Sequence, residues 1–283
     1  MTPLRGLAAL AALAGCVSGP PAAAPLEPGA HYVAMGSSFA AGPGIPDYYE
    51  TPALPCARST GNYAHLLAAR LDLTLTDVSC SGATTAHLTA PRAAPGGSSL
   101  PPQLDALTPN TRLVTITIGG NDISYISRLN AAGCNMLAAQ SFDKEKCPGI
   151  PMPTEADYVA LAAHMDVIAK GVRKRSPEAR LVFVDYLTIL PATSDCEAMR
   201  LFDFDIRDSQ EVARRLAAIT ARAASDNGAQ IVKASELSQG HDACSADPWM
   251  HGYPVWDKSG TPLHPNAKGM MAVADALEKL LAP

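Results

Sequence analysis

Positive charge is nowhere concentrated in this chain: its 22 Lys and Arg stand against 27 Asp and Glu and are spread along the sequence. A nucleic-acid footprint needs a basic patch or stripe, so nucleic acid is not an expected partner. No apolar run approaches the roughly 20 residues that span a bilayer; Gly6–Ala14 is far too short. No internal repeat appears, and no low-complexity tract beyond an N-terminal linker, which excludes solenoid and array architectures. No pair of cysteines has the Cys-x-x-Cys spacing of a zinc site. His241, Asp242, Cys244 and His251 do gather metal-ligand residue types, but Cys244 is better used as half of a disulfide. No metal and no cofactor is expected.

The N-terminus reads as an export signal. One basic residue in Met1–Arg5 precedes the apolar stretch Gly6–Ala14, and Leu13-Ala14-Gly15-Cys16 resembles a bacterial lipobox. Residues 1–15 are then a cleaved signal peptide, Cys16 a lipidated anchor to a membrane, and 16–30 a Pro/Ala-rich tether. The competing reading is secretory cleavage near Ala22-Ala23-Ala24, which Pro25 disfavours. Removing Cys16 leaves an even set: Cys56, Cys80, Cys134, Cys147, Cys196 and Cys244. In an exported chain such a set implies disulfides, with fifteen pairings open from sequence. Sequential pairing (56–80, 134–147 and 196–244) is expected, because each bond closes a local loop.

Residues 31–283 fit a single α/β domain. Apolar, β-branched runs predict strands over 32–35, 73–78, 113–118, 180–186 and 230–233. Helical spacing covers 61–71, 122–132, 155–175 with Thr154 as N-cap, 209–226 and 266–281, and Pro101-Pro102 opens a short helix through Leu107. Residues 133–152 read as an irregular excursion. Residues 187–205 read as a long loop, packed on the sheet or else walling an acyl-binding cleft with Phe39 and Tyr125. Strands alternating with helices call for a parallel sheet covered on both faces.

Four stretches then carry chemistry: Gly36-Ser37-Ser38-Phe39, Ser81-Gly82-Ala83, Gly119-Gly120-Asn121-Asp122 and His264-Pro265-Asn266. Taken singly, each is an ordinary turn or cap. The first three, however, end three predicted strands, and right-handed crossovers place those ends on one edge of the sheet. Acyl transfer needs a nucleophile, a base and oxyanion donors. Ser38 supplies the first and His264 the second. The backbone N–H groups of Ser38 and Gly82 and the Asn121 carboxamide supply the third.

In this order the four blocks resemble the SGNH hydrolase superfamily, the GDSL esterases and lipases. The resemblance covers essentially all of residues 31–283, with Ser38, Gly82, Asn121 and His264 at its four defining positions. It implies a flavodoxin-like three-layer α/β/α sandwich around a central parallel sheet of about five strands. It also implies carboxylic ester hydrolysis without a cofactor, by a monomer acting on a small-molecule or lipid ester. Two positions depart from the pattern: Ser37 stands where the family usually has Asp, and Thr261 where its Asp-x-x-His block begins. Some secreted members with three disulfides similarly lack that second Asp, and the sequential pairing matches their arrangement. The resemblance to that branch implies that a backbone carbonyl, of Thr261 or Pro262, orients His264; Asp257 is the competing orienter. Carbohydrate O-acetyl esterase activity, or a catalytically weak glycan- or lipid-binding surface protein on the same fold, are the alternatives.

Overall fold

The computed structural model describes residues 25–46, 56–141, 147–192, 196–255 and 259–282. Among them, five strands form one parallel sheet: β1 (His31–Gly36), β2 (Thr74–Asp77), β3 (Thr111–Thr117), β4 (Arg180–Val184) and β5 (Gln230–Val232). Their order is β2-β1-β3-β4-β5, with Tyr32 opposite Leu75 on one side of β1 and opposite Leu113 on the other. Tyr32, Val33, Ala34 and Met35 are all fully buried. Consecutive side chains of a strand point to opposite faces, so the sheet is covered on both. The expected three-layer α/β/α arrangement is therefore the observed one.

Eight helices accompany the sheet among the described residues: α1 (Ser38–Ala41), α2 (Tyr63–Arg70), α3 (Ala86–Thr89), α4 (Tyr125–Ser141), α5 (Glu155–Arg175), α6 (Asp203–Asp226), α7 (Ala234–Leu237) and α8 (Ala267–Leu281). None is long and apolar enough to cross a membrane. Packing joins α2 to α8, and α6 to both α4 and α5. Thr154 opens α5 as a capping box: its hydroxyl accepts from Asp157 N, and Asp157 Oδ2 accepts from Thr154 N at 2.7 Å. Asn62 caps α2 and Asn266 caps α8, each accepting two backbone N–H groups, which satisfies donors a helix start leaves orphaned.

Several boundaries differ from the sequence reading. Helix α4 begins three residues after Asp122 and continues through Ser141, so much of the supposed excursion is helix. Ala131, Ala132, Ala138 and Ala139 favour that state strongly enough to carry Gly133 within it. Helix α6 starts at Asp203, six residues before the expected Ser209. Asp203 and Asp205 complement the helix dipole there, and Ile206 buries against the core. After Pro101-Pro102 a 3₁₀ turn covers only Gln103–Ala106. A small antiparallel pair, Arg92–Ala93 with Ser99–Leu100, had no sequence signal.

Before β1, Leu26 packs against the core and Gly29 N donates to Asp72 O at 2.6 Å. In the 187–205 segment Leu187, Ile189, Leu190, Met199 and Leu201 are buried in the core, and Leu187, Ile189 and Leu190 also line a cavity.

Three disulfides join Cys56 to Cys80, Cys134 to Cys147 and Cys196 to Cys244, the sequential pairing expected. The last spans 48 residues of sequence. By loop-closure entropy it stabilises the fold by about 4 kcal/mol. The double variant Cys196→Ser/Cys244→Ser should therefore unfold roughly 10 °C below wild type in a calorimetric scan. An unchanged midpoint would show that the bond constrains nothing in the unfolded chain.

Candidate active site

β1 ends at Gly36, whose φ is +138° and whose Cβ, if it had one, would collide with Thr117 O. Only glycine permits that approach. The Gln103 side chain clamps the same peptide, accepting from Gly36 N at 2.7 Å and donating to Gly36 O at 3.0 Å. Ser37 N then donates to Thr117 O at 2.9 Å, and Ser37 O accepts from Ala40 N and Ala41 N. The chain thus passes from strand to helix within one residue. Ser38 opens α1 and stays 7% exposed.

From the far end of the chain, His264 Nε2 lies 2.8 Å from Ser38 Oγ. Its other ring nitrogen, Nδ1, is 2.7 Å from Pro262 O. A carbonyl only accepts, so Nδ1 carries the proton and Nε2 is left to accept from the serine hydroxyl. The turn around the ring explains this placement. His264 N donates to Thr261 O at 3.3 Å, which closes a β-turn over Pro262 and Leu263. Leu263 has a φ of +62° and is fully buried. Proline second and positive φ third are the marks of a type II turn, whose third place usually goes to glycine. Here core packing holds a leucine in it.

Of the two carbonyls weighed for His264, Pro262 O faces the ring, while Thr261 O is taken by the backbone N–H. Asp257 and Cys16 lie outside the described residues.

A second turn shapes the Gly82 region. Ala83 N donates to Cys80 O at 2.9 Å, and Gly82, third in the turn, has a φ of +76°. The Arg92 guanidinium backs this turn, donating to Ser81 O at 2.7 Å. The Asn121 carboxamide donates through Nδ2 to Ala83 O at 2.8 Å. This bond fixes which end of the amide is the donor and leaves a second N–H on the same nitrogen. Asp122 strengthens the tie: both its oxygens accept from Thr85 N at 3.1 Å, and Thr85 Oγ1 donates to Oδ1. Burial raises the Asp122 pKa, against the opposing effect of the Thr85 bonds.

Burial also dominates at His264, 8% exposed. It pushes the imidazole down to about 4; the Pro262 bond opposes the shift and nearby His251 adds to it. The resting ring is neutral and able to take a proton. Phe39 and Tyr125, considered as pocket walls, are both buried, and Tyr125 also lines a cavity. Phe39 stands 5.3 Å from the His264 ring and 4.5 Å from that of Tyr186, centroid to centroid. Tyr125 and Tyr186 border a cavity of about 510 Å³ walled by Leu187, Ile189 and Leu190. Cys244 is spent in its disulfide, and His241 stacks on Trp249. Among the described residues no group of three or more His, Cys, Asp or Glu is placed to hold a metal ion. Tyr186 was not singled out in the sequence, although it follows β4 on the same edge as the other groups.

Residues 34–272 match the family model described as GDSL-like Lipase/Acylhydrolase. The chain is 36% identical over 278 residues to Lipase 2 of Streptomyces coelicolor, covering 89% of this chain and 87% of that protein. A lipase of Streptomyces rimosus is 29% identical over 245 residues, covering 84% and 81%. Among solved structures, phospholipase A1 from Streptomyces albidoflavus NA297 shares the fold at a TM-score of 0.69, with 24% identity over 89% of this chain and 99% of that one.

Two outcomes are expected from the geometry. With His264 as the base, which must be neutral to accept a proton, activity is expected to fall as pH drops through its pKa of about 4. The acidic limb of kcat/KM, which reports the free enzyme, should lie well below the ordinary histidine value of about 6.5; a limb at 6.5 would place the ring in a wetter setting. Asp257→Asn should leave kcat within about threefold, since a backbone carbonyl already holds Nδ1. A loss beyond roughly 100-fold would make Asp257 the orienting group, as breaking a true triad carboxylate costs about 10⁴.

Proposed function

The chain belongs to the GDSL-like lipase/acylhydrolase family and is a carboxylic ester hydrolase, and from that membership we propose that Ser38 is its nucleophile and His264 its base. The observation that carries this reading is the 2.8 Å contact between Ser38 Oγ and His264 Nε2, with Nδ1 committed to Pro262 O. Oγ bonds to the ester carbonyl carbon while its proton moves to Nε2. The carbonyl electron pair goes to oxygen, where the N–H groups of Ser38 and Gly82 and the second N–H of Asn121 receive it. As the tetrahedral species collapses, the bond to the leaving oxygen breaks and the imidazolium protonates the departing alcohol. Water then repeats the sequence on the acyl-enzyme: it gives a proton to Nε2, and the acid leaves as Ser38 regains its hydrogen.

Among the described residues the His264 ring meets Pro262 O and Ser38 Oγ and no carboxylate, with a consequence for the energetics. A pKa of about 4 instead of 6.5 sets about 3 kcal/mol against forming the imidazolium in the resting site. The oxyanion that develops alongside supplies the missing negative charge, so attraction between the two arises only as the transition state is approached.

The substrate is a lipid or small soluble ester, in line with the lipase names of the relatives at 36% and 29% identity. Export is in line with the extracellular lipase of Streptomyces rimosus, which shares this fold. Acylation of Cys16 would hold the enzyme at a membrane.

Hydrolysis of p-nitrophenyl esters from acetate to palmitate, by wild type and Ser38→Ala in parallel, tests the assignment. Wild type should turn over, and Ser38→Ala should lose at least roughly 1000-fold in kcat. Retained activity in Ser38→Ala would refute the nucleophile. A wild type inert on every chain length would favour a narrow O-acetyl esterase or a binding protein.

A further inference from the structure

We propose that the Tyr186 hydroxyl is a positioning group that locks the Ser38 turn to the Asn121 turn, an inference that rests on Ser38 being the nucleophile. Tyr186 lies two residues past the end of β4 and is 6% exposed. Its Oη accepts from Gly120 N at 2.9 Å and sits 3.1 Å from Ser37 Oγ. Gly120 immediately precedes Asn121, and Ser37 immediately precedes Ser38. One phenol oxygen therefore bridges the residues just before the oxyanion donor and just before the nucleophile. The ring reinforces the link, packing on Phe39, the residue after the nucleophile, at 4.5 Å between centroids.

The backbone bonds of Ser37 N and Gly120 O are made within the sheet edge or within one turn. Ser37 is held by Thr117 O, and Gly120 O by Tyr125 N at 2.8 Å. Neither spans the gap between the nucleophile and the Asn121 carboxamide, whose separation an oxyanion must match. Reaching that gap takes a long side chain from the neighbouring strand end with a polar tip, and Tyr186 has both.

The bridge is also neutral. Ser37, at 1% exposure, stands where the resembled motif carries Asp, and a carboxylate buried there would need a compensating charge. Two hydroxyls satisfy each other without one. Burial pushes the phenol up to about 12, so it keeps its proton through the working range. Tyr186 accordingly holds geometry and is not a second acid or base.

The test is a double-mutant cycle on p-nitrophenyl ester hydrolysis, with Tyr186→Phe, Ser37→Ala, the double variant and Ser38→Ala. Tyr186→Phe keeps the ring and removes only the bridging oxygen. A donor displaced by a fraction of an ångström matters in the transition state more than in substrate binding. Its kcat should fall about 10- to 100-fold with KM within about twofold. Ser37→Ala should lower kcat in the same direction, and the double variant should be no worse than Tyr186→Phe, since both act through one bridge.

A lowered Tm with kcat intact would reduce Tyr186 to packing, and effects that multiply would disprove the bridge. If Tyr186→Phe does not fold, Ser37→Ala decides: unchanged kcat there overturns the proposal. Activity surviving in Ser38→Ala would remove the nucleophile reading itself. An inactive Ser38→Ala beside a fully active Tyr186→Phe would remove only the positioning role.

Discussion

Parallel hydrogen bonding carried one step beyond the ends of the strands sets the geometry of this site. Val78 N donates to Ala34 O, Cys80 N to Gly36 O and Ser37 N to Thr117 O, each at 2.9 Å. These bonds keep the three chain segments in register after β1, β2 and β3 have formally ended. Strands that run parallel release their chains on one edge, so the Ser38 turn, the Gly82 turn and the Asn121 turn emerge side by side. The 56–80 disulfide and the bond from Ser81 N to Cys56 O then tie the loop following α1 to the Gly82 turn. With β1 in the middle of this arrangement, a bulkier residue at Gly36 would separate all three segments at once.

Around that frame the site is built largely from neutral groups. Neutral partners stand at both positions where the family pattern would place a carboxylate: Tyr186 faces Ser37, and Pro262 O orients His264. Asp122, beside Asn121, is occupied with Thr85. Burial depresses the basicity of His264, yet in the proposed mechanism the same burial would make each hydrogen-bond donor more effective toward an oxyanion than it would be in water. The same desolvation disfavours the imidazolium at rest and, in the proposed mechanism, would strengthen the stabilisation of the oxyanion.

Much of the fold was legible in local pattern. All five strands, the Thr154 cap, and the helices after Asn62 and Asn266 lie within a few residues of where periodicity put them, because a buried strand or an amphipathic helix writes its period into the sequence. The errors fell where two local signals competed. Gly133 and the nearby cysteines suggested irregular chain, while alanine propensity and tertiary packing made helix. At Asp203 helix-start charges outweighed a segment read as loop. The hairpin at Arg92 to Leu100 is too short to show a period.

The sequence by itself determined the residue types of the four stretches, their order, the even set of cysteines after Cys16, and the alternation that makes a parallel sheet. These are properties of nearest neighbours and of spacing along one chain. Tertiary structure alone decided that Pro262 rather than Thr261 faces the imidazole, because that depends on a left-handed Leu263 held in place by the core. It likewise decided that Tyr186 joins two turns distant in sequence, and that burial lowers the basicity of His264. Each of those outcomes is fixed by groups from several chain segments meeting in space with water excluded, which a linear pattern does not encode.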